Sequence, residues 1–105
     1  RLAHREVVAS QKVEVAFMGD GPYIELLEPT SPDSPVAKFL DKRGPGQHHL
    51  AFAVPSIEAE LRRQAAAGAK LIDKTARPGA WGHKVAFLHP ERQGGVLIEL
   101  LQESQ

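Results

Sequence analysis

The sequence predicts an α+β fold built from two copies of a βαβββ unit, of which the first copy lacks its opening strand and helix. The first observation is an internal repeat: residues 15–18 read VAFM and 85–88 read VAFL, while 24–27 and 98–101 both read IELL. The two matches occur in the same order and at nearly the same offset, which indicates a duplicated unit. The second observation is the order of local patterns, β-α-β-β-β in the second half and only β-β-β in the first.

The first half is expected to contain three strands and one short helix. Apolar, β-branched runs separated by Gly, Pro and Asp predict strands at 2–9, 15–18 and 24–27, with a turn at 19–22. After a turn-rich linker, Ser34 followed by Pro35 is a typical helix start, because Ser caps the first N–H groups and Pro fits the first helical position. The Gly44-Pro45-Gly46 sequence is expected to end this helix.

The second half is expected to contain four strands and one longer helix. Its apolar runs predict strands at 47–54, 70–74, 85–88 and 96–101. Ser56 is a strong helix cap, and the apolar spacing of Ile57 and Leu61 predicts a helix over 57–67 that Gly68 ends. Residues 77–82 and 89–95 are expected to be loops.

Composition limits the class of protein. The chain has 105 residues, 13 Lys and Arg against 13 Asp and Glu, and no Cys. We expect one domain over 1–105, made of a partial first unit (1–29), a linker helix (30–46) and a complete second unit (47–102). Zero net charge argues against nucleic-acid binding, and no apolar run is long enough to span a membrane. A cytoplasmic protein is expected, and the missing initiator Met suggests a chain cut from a longer one.

Two glutamates recur at the same place in the two copies. Glu25 and Glu99 are each the second residue of an IELL run, so each puts a carboxylate into an otherwise apolar strand. A salt bridge or an exposed sheet face would explain either one alone. A buried carboxylate is costly without a partner, and the repetition therefore favours a shared functional role.

His49 is the natural partner for these glutamates. Strand alternation places it on the side of Ala51 and Ala53, whose small side chains leave room for an imidazole. A single strand histidine is more often structural, but together with Glu25 and Glu99 it suggests a divalent metal site. Without cysteine, the available ligands suit borderline or hard divalent ions.

Other polar residues have simpler interpretations from their positions alone. Glu14 stands beside the VAFM run, where the second copy has Lys84, and an ordinary strand surface charge is the favoured reading. His4, His83 and His89 lie near loops or strand ends, where solvent exposure is expected.

Several segments of the sequence resemble one known superfamily. Residues 47–54 (QHHLAFAV) followed by 56–59 (SIEA) resemble the opening of the second module in the vicinal oxygen chelate superfamily. Within it, the chain is similar to the methylmalonyl-CoA epimerase family through three further stretches: 32–40 (PDSPVAKFL), 77–80 (RPGA), and 85–90 with 94–100 (GGVLIEL). The resemblance covers essentially the whole chain.

This resemblance implies paired βαβββ modules that form an incomplete barrel around a divalent metal, most often Co²⁺, with Mn²⁺, Zn²⁺ or Ni²⁺ as alternatives. It implies Glu25, His49 and Glu99 as metal ligands, and Glu14 as a catalytic base. A fourth ligand of the family, a histidine on the opening strand of the first module, has no counterpart in this sequence. Independently of the resemblance, the missing opening strand and helix of the first copy would leave an unpaired sheet edge and an apolar patch exposed, so a homodimer is expected.

The implied activity is epimerisation at C2 of a methylmalonyl thioester, a small acyl-CoA substrate. Such a reaction needs a proton removed on one face and returned on the other, for which Glu14 and Glu99 are the candidate carboxylates. Residues 77–84 are then expected to contact the coenzyme A portion. A glyoxalase I-like lyase, an extradiol-type dioxygenase and a non-catalytic binding module remain alternatives, and bound Fe(II) with redox activity would favour the dioxygenase.

Overall fold

The structure, a computed structural model, describes residues 1–20 and 22–103. The chain divides into two compact units, Arg1–His48 and His49–Gln105. Of the turn predicted at 19–22, Gly21 lies outside the described residues. Within the ranges described, neither helix is long and apolar enough to cross a bilayer.

The first unit is a three-stranded antiparallel sheet with one helix. Its elements are β1 (Leu2–Val8), β2 (Val13–Met18), β3 (Ile24–Pro29) and α1 (Pro35–Arg43). The strand order is β1-β2-β3, with β2 in the centre. The predicted β-β-β order and the helix after the linker are therefore confirmed.

The pairing register divides the side chains of this sheet between two faces, because residues paired directly across antiparallel strands point to the same side. One face, which we call the Glu25 face, carries the rows His4–Phe17–Glu25 and Glu6–Val15–Leu27. The opposite face, which we call the Glu14 face, carries the rows Arg5–Ala16–Leu26 and Val7–Glu14–Glu28.

Helix α1 begins and ends where the sequence predicts. The Ser34 hydroxyl accepts a hydrogen bond from the Val36 N–H at 3.1 Å, which satisfies one of the donors that every helix start leaves open. Gly44 has a φ of +70°, a conformation that glycine adopts at low cost, and it ends the helix.

The second unit contains a four-stranded sheet and one helix in the predicted order β-α-β-β-β. Its elements are β4 (Leu50–Ala53), α2 (Ile57–Ala66), β5 (Arg77–Pro78), β6 (Lys84–Leu88) and β7 (Ile98–Gln102). The strand order is β4-β7-β6-β5, and β4 runs parallel to β7 while the other pairs are antiparallel.

The core of the second unit lies between α2 and one face of its sheet. Ile57 and Leu61 of the helix pack with Ala86, Leu88 and Leu100, and all five are buried. The first unit offers a contrast at the repeat-equivalent positions of β3. Ile24 and Leu26, the counterparts of Ile98 and Leu100, are 70% and 55% exposed.

Three predicted strands differ from the structure. Residues 70–74 form only an isolated bridge between Leu71 and Leu88, because the Asp73 carboxylate accepts the Phe87 N–H at 2.9 Å and replaces a backbone ladder bond. The strand pairing with β6 is instead the two-residue β5, inside the predicted loop 77–82.

The strands predicted at 47–54 and 96–101 are both shorter at their starts. Strand β4 begins at Leu50 and β7 at Ile98, and these two residues are paired. The turn before β7 contains Gly94 and Gly95, both with positive φ, so the ladder has no regular partner ahead of Ile98. His49 therefore immediately precedes β4 rather than lying inside it.

Candidate metal and proton-transfer site

The pair His49 and Glu99 forms the centre of the candidate site in the second unit. Residue Ala51 of β4 pairs with Glu99 of β7, and His49, two residues before Ala51, lies on the same side. The His49 Nε2 and Glu99 Oε1 atoms are 2.7 Å apart, and both side chains are 11% exposed. The predicted partnership between these two residues is thus present.

Phe87 packs against both members of this pair. It lies directly across from Glu99 in the β6–β7 ladder, and its ring meets the His49 ring edge-on, with 5.8 Å between centroids. The Arg77 guanidinium also lies over the Phe87 ring, 5.1 Å from its centroid. Packing of this kind restricts the imidazole orientation and keeps water from much of the carboxylate, which strengthens the electrostatic attraction between them.

Glu25 occupies the equivalent place in the first unit. It lies directly across from Phe17 in the β2–β3 ladder, as Glu99 lies across from Phe87. Each sheet therefore carries the same phenylalanine–glutamate pair, which confirms in three dimensions that the two copies are related. The Glu25 side chain is half-buried.

The chemistry of the donors suits a divalent ion. Glu25, His49 and Glu99 each offer one ligand atom, an imidazole nitrogen or a carboxylate oxygen. The His49 Nε2 and Glu99 Oε1 atoms are in direct hydrogen-bond contact at 2.7 Å, so a nitrogen donor and an oxygen donor lie side by side. Nitrogen and oxygen donors of this type bind ions such as Co²⁺, Mn²⁺, Zn²⁺ and Ni²⁺. The residues present therefore fit a divalent metal ion.

Glu14 lies on the Glu14 face of the first sheet, opposite to the face that carries Glu25. Its carboxylate accepts a hydrogen bond from the Arg5 Nε at 2.6 Å, and this bond raises the pKa of the Arg5 guanidinium above its ordinary value. The repeat agrees with this placement, since Lys84 alternates with Val85 and lies on the side that α2 covers in the second unit. A catalytic role for Glu14 stays a prediction, and the register of β2 gives it no support.

His4 and Glu6 of β1 also lie on the Glu25 face. His4 Nε2 and Glu6 Oε1 are 2.7 Å apart, and both side chains are about two-thirds buried, at 28% and 32% exposure. His4 was expected to be exposed near a strand end, which is wrong because it lies within β1 across from Phe17. The i, i+2 spacing of a histidine and a glutamate inside a strand was the signal available in the sequence.

The loop predicted to contact coenzyme A is held tightly to the second sheet. A Cβ on Gly79 would lie 2.7 Å from Val85 Cγ1, so only glycine allows this approach. The following turn places Trp81 at a φ of +63°, and the Gly79 N–H donates to the His83 carbonyl at 2.9 Å. Its contact with coenzyme A stays a prediction.

Comparison with known proteins connects this site to a family. The sequence profile of the Glyoxalase/Bleomycin resistance protein/Dioxygenase superfamily matches residues 3–87. The uncharacterized protein YqjC of Bacillus subtilis is 44% identical over 100 residues, which are 94% of this chain and 71% of YqjC. A solved methylmalonyl-CoA epimerase in complex with methylmalonyl-CoA and NH4⁺ is 35% identical, with a TM-score of 0.92 over 99% of this chain and 77% of that one.

The mitochondrial methylmalonyl-CoA epimerase of Dictyostelium discoideum is 39% identical over 90 residues, which are 84% of this chain and 54% of the epimerase. The chain thus spans about half the length of this curated relative.

Proposed function

This chain belongs to the Glyoxalase/Bleomycin resistance protein/Dioxygenase superfamily and, within it, to the methylmalonyl-CoA epimerase family; from that premise we propose that it interconverts the (R) and (S) forms of methylmalonyl-CoA. The observation that carries the proposal is the His49–Glu99 pair, with 2.7 Å between its ring nitrogen and its carboxylate oxygen. It provides a nitrogen donor and an oxygen donor at one shielded place on the sheet.

We assign Glu25, His49 and Glu99 as the ligands of a divalent metal ion. Support comes from the matching positions of Glu25 and Glu99 across from phenylalanine in the two sheets. A bound divalent ion would supply Lewis-acid stabilisation of the negative charge that develops on the thioester oxygen when the C2 proton leaves. Co²⁺ is the ion that we would test first.

The chain's own groups hold and move the protons. Glu99 is the candidate that returns a proton to C2 in addition to its role as a ligand, since a carboxylate is a suitable general acid and base when its surroundings are shielded from water. Glu99 lies across from Phe87 in the β6–β7 ladder and its Oε1 contacts His49 Nε2 at 2.7 Å. Proton removal on the other face of C2 needs a second carboxylate, and the family resemblance implies Glu14 for this role.

The partner that this function requires is a small acyl-CoA. The segment 77–84 is our candidate for contact with the coenzyme A portion, and its Arg77 guanidinium lies against the Phe87 ring beside the candidate site. We further propose that the protein is a homodimer, because apolar residues of β3 are largely exposed on the Glu14 face.

Chiral analysis of the product tests the proposed activity. Purified protein loaded with Co²⁺ is incubated with (S)-methylmalonyl-CoA, and appearance of the (R) form is measured by chromatography against standards. We expect conversion to an equal mixture by the unaltered protein and by the control variant Glu28→Gln, an exposed carboxylate in β3. Glu99→Gln should lose at least 100-fold in rate.

Failure of the unaltered, metal-loaded protein to form the (R) product would refute the proposed activity. Oxygen consumption with Fe(II) and a catechol would then indicate an extradiol-type dioxygenase. Conversion of a glutathione hemithioacetal would indicate a glyoxalase I-like lyase.

A further inference from the structure

We propose that Glu6, positioned by His4, is the second proton-transferring carboxylate of this protein, in place of Glu14. This inference rests on the proposed epimerase function. Of the side chains of the first sheet, only those on the Glu25 face can reach a substrate held at Glu25. In a strand, neighbouring residues point to opposite faces, so the pairing register decides which carboxylates qualify.

The pairing register puts Glu6 on the Glu25 face of the first sheet and Glu14 on the opposite face. Glu6 pairs with Val15, which pairs with Leu27, two residues after Glu25 on the same face. Among the residues described in β1, β2 and β3, Glu6 and Glu25 are the carboxylates on that face. Glu14 pairs with Val7 and Glu28 on the opposite one.

The spacing on the sheet suits two carboxylates that act on one small group. Two strand separations across the sheet and two residues along it put the Glu6 and Glu25 Cα atoms about 12 Å apart. Side chains on one face of a sheet stand roughly parallel, so that distance leaves room for a small acyl group between their ends. Direct contact between Glu6 and Glu25 is not required for this role.

His4 holds Glu6 in place. The 2.7 Å contact between His4 Nε2 and Glu6 Oε1 fixes one carboxylate oxygen, and the His4 ring packs 6.2 Å from the Phe17 ring. Both side chains are about two-thirds buried, so the carboxylate is shielded without being sealed from substrate.

The proposed step balances in protons and electrons. Glu6 takes the C2 proton from one epimer and becomes a neutral carboxylic acid, and the C–H electron pair moves towards the thioester oxygen. Glu99, which carries the proton only when turnover starts from this epimer, then gives it to the opposite face of C2 as the electron pair returns to form the new C–H bond. The reverse reaction exchanges the roles of the two carboxylates.

Solvent-deuterium exchange at C2, measured separately from each epimer, tests this assignment. In Glu6→Gln, epimerisation should fall at least 100-fold, and deuterium should enter the one epimer whose proton Glu99 removes while the other epimer stays unlabelled. Glu6→Asp, which keeps a shorter carboxylate, should restore part of the lost exchange. His4→Gln should weaken exchange from the same epimer as Glu6→Gln.

The control variant is Glu28→Gln, while Glu14→Gln tests the competing assignment of the base to Glu14. Thermal melts check that all variants are folded. Full exchange from both epimers in Glu6→Gln would overturn the role of Glu6 while leaving the epimerase function intact. Loss confined to Glu14→Gln would overturn it in favour of Glu14. Absence of exchange in the unaltered protein would instead overturn the proposed function, and the Glu6 assignment with it.

Discussion

Removing the His49 imidazole should destabilise the metal-free protein far more than removing an exposed side chain. Glu99 is buried, with 8% of the residue exposed, and its Oε1 lies 2.7 Å from the His49 Nε2. His49→Ala leaves this carboxylate shielded from water without that partner. Loss of one partner of a charged hydrogen bond in a buried setting costs about 2–3 kcal/mol.

Urea unfolding at neutral pH with a chelator present measures this cost. We expect His49→Ala to lower the free energy of unfolding by about 2–3 kcal/mol, and the double variant His49→Ala/Glu99→Gln to recover about 1 kcal/mol or more, because the carboxylate charge is then gone. Glu28→Gln is the control and should change stability by less than about 0.5 kcal/mol.

The same experiment with Co²⁺ separates pairing from metal binding. A metal at 100 times its dissociation constant stabilises the folded protein by about 2.7 kcal/mol, and His49→Ala should lose most of that increment. The reasoning would be refuted if His49→Ala matched the control variant in chelator and gained as much stability from Co²⁺ as the unaltered protein.

Three further predictions follow from local contacts. Gly79→Ala should lower the free energy of unfolding, measured in urea, by about 1–3 kcal/mol, because its new Cβ would lie 2.7 Å from Val85 Cγ1. The double variant with Val85→Ala should lose less stability than the sum of the two single variants. Strict additivity of the two losses would contradict the contact. Hydrogen bonds from a lysine and a serine lower the pKa of Asp33 to about 2, so its contribution to stability is present above its unfolded value of about 3.9 and is lost as the pH falls towards 2. Asp33→Asn should therefore reduce the loss of unfolding free energy between pH 4 and pH 2. An unchanged pH dependence would show that the hydrogen bonds to Asp33 contribute nothing to stability. Light scattering after size exclusion should give twice the chain mass, and Leu26→Glu on the exposed face of β3 should shift it to the monomer; a monomeric unaltered protein would rule out the dimer.

The sequence alone was sufficient for the fold wherever a local pattern and the tertiary structure agree. Ser34 and Ser56 cap the two helices as their positions predict, because a capping bond is local. The strand predicted at 70–74 is absent because the Asp73 carboxylate accepts a hydrogen bond from the Phe87 N–H. This contact joins residues 14 positions apart, and no local pattern shows it.

The candidate site could be predicted where a single strand determines the direction of a side chain, and could not where the alignment of several strands determines it. His49 and Glu99 could be paired from alternation and apolar neighbours, since each strand fixes its own faces. The faces of Glu6 and Glu14 relative to Glu25 depend on how β1, β2 and β3 align, and a shift of one residue in register reverses every side chain. The sequence does not state that register, so a local pattern cannot show which of Glu6 and Glu14 shares a face with Glu25.

The most direct test of the central claim, a metal-dependent epimerase centred on His49 and Glu99, is to measure epimerisation during titration of the metal-free protein with Co²⁺. Visible absorption of the bound Co²⁺ reports occupancy in the same cuvette. We expect epimerase activity to rise in proportion to the fraction of protein that has bound Co²⁺ and to saturate at one Co²⁺ per chain. Glu99→Gln should show no activity. Full epimerase activity in the metal-free protein, or saturation by Co²⁺ without any epimerisation, would contradict the central claim.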